Sequence, residues 1–151
     1  MVMAQEQARH RFDDVADDSP QKVAIGMLTR LAVMSGYADG KFHPDEPMSR
    51  MQLADGLNQA LSLATPKSSI SFDDLSAKSP LHAAAQAVVS AGLLTSSAGK
   101  FRPTDTISHD DLRTTLGLAF KAAAPQVASG GAPVTRGEAA QLLFAAIAAR
   151  T

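Results

Sequence analysis

Three stretches of the chain carry an apolar stripe at helical spacing: Leu53, Leu57 and Leu61; Leu112, Leu116 and Phe120; Ala139, Leu143 and Ile147. Recurrence at i, i+4 and i+8 lines one face of a helix, so each stretch is predicted helical. Two further segments, "QKVAIGMLTRLAVM" and "LHAAAQAVVSAGLL", are apolar nearly all round and predict helices buried against several neighbours. No segment sustains the period-two alternation of a half-buried strand. The expected fold class is all-α.

Punctuation between these segments supports the same elements. Ser19-Pro20 and Ser79-Pro80 read as helix starts, with Ser as N-cap and Pro at the first helical position. Ser49…Gln52 and Thr135…Glu138 read as capping boxes, and Ser108…Asp111 as a weaker version. Gly36, Gly40 and Gly99 fall in loops where positive φ is useful, and Phe42 and Phe101 are expected to plug the core beneath those loops.

The order of these signals repeats. Phe12-Asp13-Asp14-Val15 returns as Phe72-Asp73-Asp74-Leu75, and Ser19-Pro20 as Ser79-Pro80, both sixty positions on. Past a one-residue deletion, Gly40-Lys41-Phe42 with Pro44 returns as Gly99-Lys100-Phe101 with Pro103, and Ser49 as Ser108. A helix-loop-helix unit of about fifty residues fits the range of helical repeats. A third copy, opening at "PVTRGEAAQLLF", has only twelve residues between Phe120 and Pro133, too few for a loop and a buried first helix. The expected organisation is a tail over 1–11, one unit over 12–64, a second over 72–121 and half of a third over 131–151. Linkers are expected near 62–71 and 121–133.

Composition narrows the function. Fourteen Lys and Arg against fifteen Asp and Glu give a net charge of −1, which argues against nucleic acid or an anionic membrane as the main partner. The absence of Cys excludes disulfides and thiolate metal sites. No apolar run approaches the roughly 20 residues of a membrane span. The opening "MVMAQEQARHR" shows no export signal and reads as a start residue joined to a mature chain beginning near Ala4 or Gln5. The four His residues are scattered, "DGKFHPDE" lacks the alternating oxygen ligands of a calcium hand, and no nucleophile elbow or phosphate loop occurs. No catalytic residue, metal or cofactor is expected, and the chain does not read as an enzyme.

The stretch "FDDVADDSPQKVAIGMLTRLAVMSGYADGKFHPDEPMSRMQLA" resembles an S-layer homology domain. The likeness is carried by Phe12, Asp14, Val15, Ala24, Ile25, Gly36, Tyr37, Asp39, Gly40, Phe42, Pro44 and Arg50. The second unit has lost the Gly-Tyr-x-Asp group and places His109 where the family has Arg, whereas Thr135-Arg136-Gly137-Glu138 is close to the family's Thr-Arg-Ala-Glu. The resemblance implies a pseudo-threefold helical body, here with one central helix missing, that holds non-covalently to an anionic cell-wall polysaccharide or surface glycan. It implies a place in the cell envelope or outside the cell, at the surface or in the periplasm. Ligands of the family lie in grooves between lobes, where the motif Arg meets acidic groups such as a pyruvate ketal.

On that basis the ligand-binding candidates are Arg50, Arg136, Asp39, Tyr37, Gly40 and His109. For Arg50 and Arg136 the competing reading is an internal pair with a carboxylate such as Asp14 or Asp74, tying one unit to the next. Tyr37 either faces a sugar ring or anchors its loop, and His109 either keeps a pH-sensitive contact or is a solvated helix start. Thr135 and Glu138 are accounted for by capping. Two functions are expected to compete. In the first, an envelope-binding module loses binding on Arg50→Ala or Arg136→Ala with the fold intact. In the second, an accessory subunit binds a partner protein, or a second copy of itself, through the slot left by the missing helix.

Overall fold

The computed structural model describes residues 12–64, 69–120 and 130–150; the tail over 1–11, the linker residues 65–68 and 121–129, and Thr151 lie outside the described residues. The described residues fold as five helices: α1 (Lys22–Arg30), α2 (Arg50–Leu61), α3 (His82–Ser90), α4 (His109–Phe120) and α5 (Arg136–Arg150). Extended residues meet only in isolated bridges, so the architecture is all-α.

The short helices α1 and α3 start later and stop earlier than their apolar runs suggest. The Ser19 hydroxyl accepts the Gln21 amide at 3.1 Å and the Ser19 carbonyl accepts the Lys22 amide at 3.2 Å, so Ser19 closes a leading turn instead of capping α1. Ser79 does the same ahead of α3. At the other end Ala32 and Gly92 take positive φ, 63° and 78°, and the Val33 and Leu93 amides reach back to the Leu28 and Val88 carbonyls at 2.9 Å. That left-handed step ends each helix in a Schellman-type turn. Val33, Met34, Leu93 and Leu94 therefore leave the helix yet remain buried as plugs. Nor are the short helices buried all round, since Val23 of α1 is 66% exposed and Ala83 of α3 is exposed as well.

The longer helices follow their stripes. Leu53, Leu57, Leu112, Leu116, Ala139 and Leu143 are fully or almost fully buried, and Leu61 and Ile147 pack at the edge of one core shared by all the helices. Phe42 and Phe101 lie inside it with no exposure. α2 packs on α3 and α1 on α5; α4 packs directly on α5.

A ring of hydrogen bonds joins the residues just before α2, α4 and α5. The Met48 amide donates to the Val134 carbonyl at 2.9 Å, Val134 to Ile107 at 2.8 Å, and Ile107 back to Met48 at 3.0 Å. All three side chains are buried, so these bonds are shielded from water. The ring aims the N-termini of the three long helices at neighbouring loops, which places their first-turn side chains.

Candidate functional site

Arg136 is the first residue of α5. Thr135 fixes that end: its Oγ1 accepts the Glu138 amide at 3.1 Å, while Glu138 Oε1 accepts the Thr135 amide at 3.0 Å. The next two amides, of Arg136 and Gly137, donate to the carbonyls of Glu46 and Pro44 at 2.8 Å each. The first turn of the last helix is thus stitched to a loop of the first sequence unit.

The Arg136 side chain continues the seam. Nε donates to the Phe42 carbonyl at 3.0 Å and Nη2 to the Ser35 carbonyl at 2.6 Å. Its guanidinium lies over the Phe42 ring at 4.4 Å and the Tyr37 ring at 4.8 Å. A planar fork can hold two carbonyls while stacking on two rings; an ammonium cannot. Burial to 2% exposure lowers its pKa from the ordinary value, but a guanidinium stays charged at any physiological pH.

Arg50 repeats the arrangement on the second unit. Its amide and that of Met51 donate to Asp105 and Pro103 carbonyls, Nε donates to the Phe101 carbonyl at 2.9 Å, and Nη2 bonds the Thr95 carbonyl. The guanidinium stands 5.0 Å over the Phe101 ring and is 7% exposed. Neither Arg forms an ion pair with a carboxylate among the described residues. The expected internal pair with Asp14 or Asp74 is corrected accordingly. The tie between units exists, but it runs to main-chain carbonyls. Both side chains are structural ties, so replacing either Arg by Ala removes bonds between units as well as a guanidinium.

Asp14 and Asp74 hold the other side of the same peptides. Asp14 accepts the Phe42 and His43 amides at 3.0 and 2.8 Å, and Asp74 the Phe101 and Arg102 amides at 2.9 and 2.8 Å. Desolvation pushes both carboxyls up, but the amide donors outweigh it and leave them below the usual range. His43 and Arg102 both take φ of 59°, each ahead of a proline that disfavours the right-handed helical region. The carboxylates steady that unusual backbone.

Beside Arg136 opens a pocket of about 190 Å³, lined by residues 33–37 of the turn after α1, by Gln52 and Asp55 of α2, and by Arg136 itself. Arg136 Nη1 has no acceptor among the described residues, so its donors remain for whatever enters. Tyr37 is 39% exposed; its hydroxyl accepts Gln52 Nε2 at 2.8 Å and its ring meets His43 edge-on at 4.6 Å. Gln52 does two jobs, since its Oε1 also closes the capping box on the Ser49 amide at 3.0 Å. The Asp55 carboxylate makes no hydrogen bond or ion pair among the described residues, and desolvation by the pocket walls pushes it above the ordinary value although the residue remains exposed.

The sequence candidates therefore separate in space. Tyr37 and Arg136 share the pocket, and Arg50 holds the matching place against the second unit. Asp39 and Gly40 sit at an exposed turn tip, Asp39 bonding the Lys41 amide and His43 Nε2, Gly40 at φ 80°. His109 lies at the third junction, with Nδ1 2.8 Å from the Ala132 carbonyl oxygen and Nε2 3.1 Å from Glu138 Oε2. Both neighbours are acceptors, so the doubly protonated ring fits best and its pKa is raised, chiefly by Glu138 and then by Ala132. Gln52 and Asp55 escaped the sequence reading as pocket residues. Their i, i+3 spacing beside an apolar stripe was the available signal.

Among the described residues no cluster of His, Asp and Glu could hold a metal, and no helix is long and apolar enough to cross a membrane. No curated protein matches the chain. S-layer homology domains are cell-envelope binding modules rather than catalysts. The family model for the S-layer homology domain matches residues 11–54, and the family likeness rests on that segment.

Proposed function

We propose that this chain is a non-catalytic module that holds an anionic cell-wall polysaccharide or surface glycan at the cell surface or in the periplasm. The observation that carries the reading is the pocket beside Arg136. A buried guanidinium, fixed by two carbonyls and two rings, keeps one nitrogen unclaimed by the described residues on a solvent-open cavity, with Tyr37 and Gln52 alongside. A fork held in place before binding loses little entropy when it meets a carboxylate or phosphate. Arg50 offers a second, similar position.

Within this reading the two sequence units and the half unit form a pseudo-threefold body, and the hydrogen-bond ring through Met48, Ile107 and Val134 is its hub. Asp39 and Gly40 shape the loop that presents Tyr37, and His109 occupies the third junction, against Ala132 and Glu138. The reading as an accessory subunit has narrower support. Among the described residues the one helix packed extensively on α4 is α5, and Leu118 is 52% exposed.

Co-sedimentation of the purified chain with bacterial sacculi tests the proposal, before and after hydrofluoric acid strips phosphodiester-linked polymer. Sedimentation with untreated walls is the expected result, and its loss after stripping would assign the ligand to the phosphodiester-linked polymer. A chain that stays in the supernatant with both preparations would contradict it.

A further inference from the structure

Asp55 is an acid in the wall of a pocket whose cation is Arg136. The two line one cavity of about 190 Å³ yet form no ion pair with each other. Each is held apart by its own scaffold. Arg136 is pinned by the Phe42 and Ser35 carbonyls and by the Phe42 and Tyr37 rings, and Asp55 is fixed on α2 one turn beyond Gln52. Gln52 and Tyr37, bonded to each other, form a neutral polar wall in the same cavity.

A purely anionic ligand on Arg136 would bring a like charge toward Asp55, and a purely cationic one on Asp55 would face Arg136. We propose that this pocket recognises a zwitterionic unit, its carboxylate on Arg136 and its ammonium on Asp55. A diamino-acid side branch of a wall peptide and an amino sugar bearing an acid both present that pair of charges. The inference rests on the envelope-binding reading and specifies the ligand of the same site. Arg50 supplies an internal contrast. By the 59-residue offset that relates Ser49 to Ser108, Thr114 stands where Asp55 does and Asp111 where Gln52 does, so the acid beside Arg50 sits one turn nearer the helix start.

Calorimetric titration of the full chain with defined probes tests this. One probe is a muramyl tripeptide ending in meso-diaminopimelate, a second is 2-amino-2-deoxyglucuronic acid, and each is paired with its N-acetylated form. An acid-only probe is a pyruvate ketal of an N-acetylhexosamine. At least one zwitterion should bind ten-fold or more tightly than its N-acetylated form, and which pair shows the gap identifies the source. Asp55→Asn, an exposed helix position whose fold circular dichroism can verify, should erase that gap and tighten binding of the acid-only probe. Equal binding of acetylated and free forms, an unchanged gap in Asp55→Asn, or no binding of any probe would overturn the inference. Sacculus binding that persists under those outcomes leaves the envelope reading in place, whereas loss of sacculus binding removes both.

Discussion

Arg136 Nε donates to the carbonyl of Phe42 at 3.0 Å across 94 positions of sequence. That bond closes the last helix onto the first unit, and the same guanidinium lines the pocket. Stability and recognition therefore share a side chain. Arg136→Ala removes two charge-assisted bonds of about 1.5–3 kcal/mol each, so a loss of about 3–6 kcal/mol is expected in urea unfolding. Arg136→Lys should recover less than half of it, because an ammonium cannot serve both carbonyls and both rings.

Asp14→Asn tests the opposite side of the Phe42 peptide. The carboxylate receives two amides, and replacing it with a neutral amide should cost about 1–3 kcal/mol at pH 7 by chemical denaturation. The folded pKa of Asp14 lies below 3.8, so its contribution is present above that value and fades as pH falls through the folded pKa. The gap between wild type and variant should therefore narrow in acid.

His109 gives the reverse sign. Its folded pKa is raised above 6.5 by Glu138 and Ala132, so the stabilisation is complete below 6.5 and is lost as pH climbs through the folded value. Denaturation at pH 5.5 and 8.5 should show His109→Gln losing more stability at the lower pH. An equal loss at both would mean that the imidazole is not protonated in the pair with Glu138.

Ala32 sits at φ 63° where the second unit has Gly92 at 78°. A left-handed alanine costs about 1–2 kcal/mol, against about 0.5–1 kcal/mol for the extra freedom of glycine in the unfolded chain. Ala32→Gly should raise stability by about 0.5–1 kcal/mol in thermal or urea unfolding. Gly56→Ala should do the opposite, costing about 1–3 kcal/mol, since a Cβ there would stand 2.7 Å from the Val33 carbonyl oxygen.

The long helices were legible because their signals are local. The stripe at Leu53, Leu57 and Leu61 and the capping boxes at Ser49 and Thr135 all appear where spacing placed them. The short helices were read too long, because Val33-Met34 and Leu93-Leu94 continue the apolar run after a left-handed residue has ended the helix, and hydropathy does not register that step. The pocket was half legible. Tyr37 and Arg136 stand out by residue type, but Asp55 becomes a pocket residue only once the turn over 33–37 folds against α2. Nor could the partners of Arg50 and Arg136 be read from side chains, since they are carbonyls, which every residue carries.

The central claim is that wall material enters beside Arg136. Its most direct test is a ¹⁵N nuclear magnetic resonance titration of the chain with solubilised wall fragments. Saturable shifts concentrated on the Arg136 side chain, Tyr37, Gln52 and Asp55 are the predicted result. Shifts that leave those residues unmoved and gather along α4 around Leu118, or no shifts at all, would contradict it.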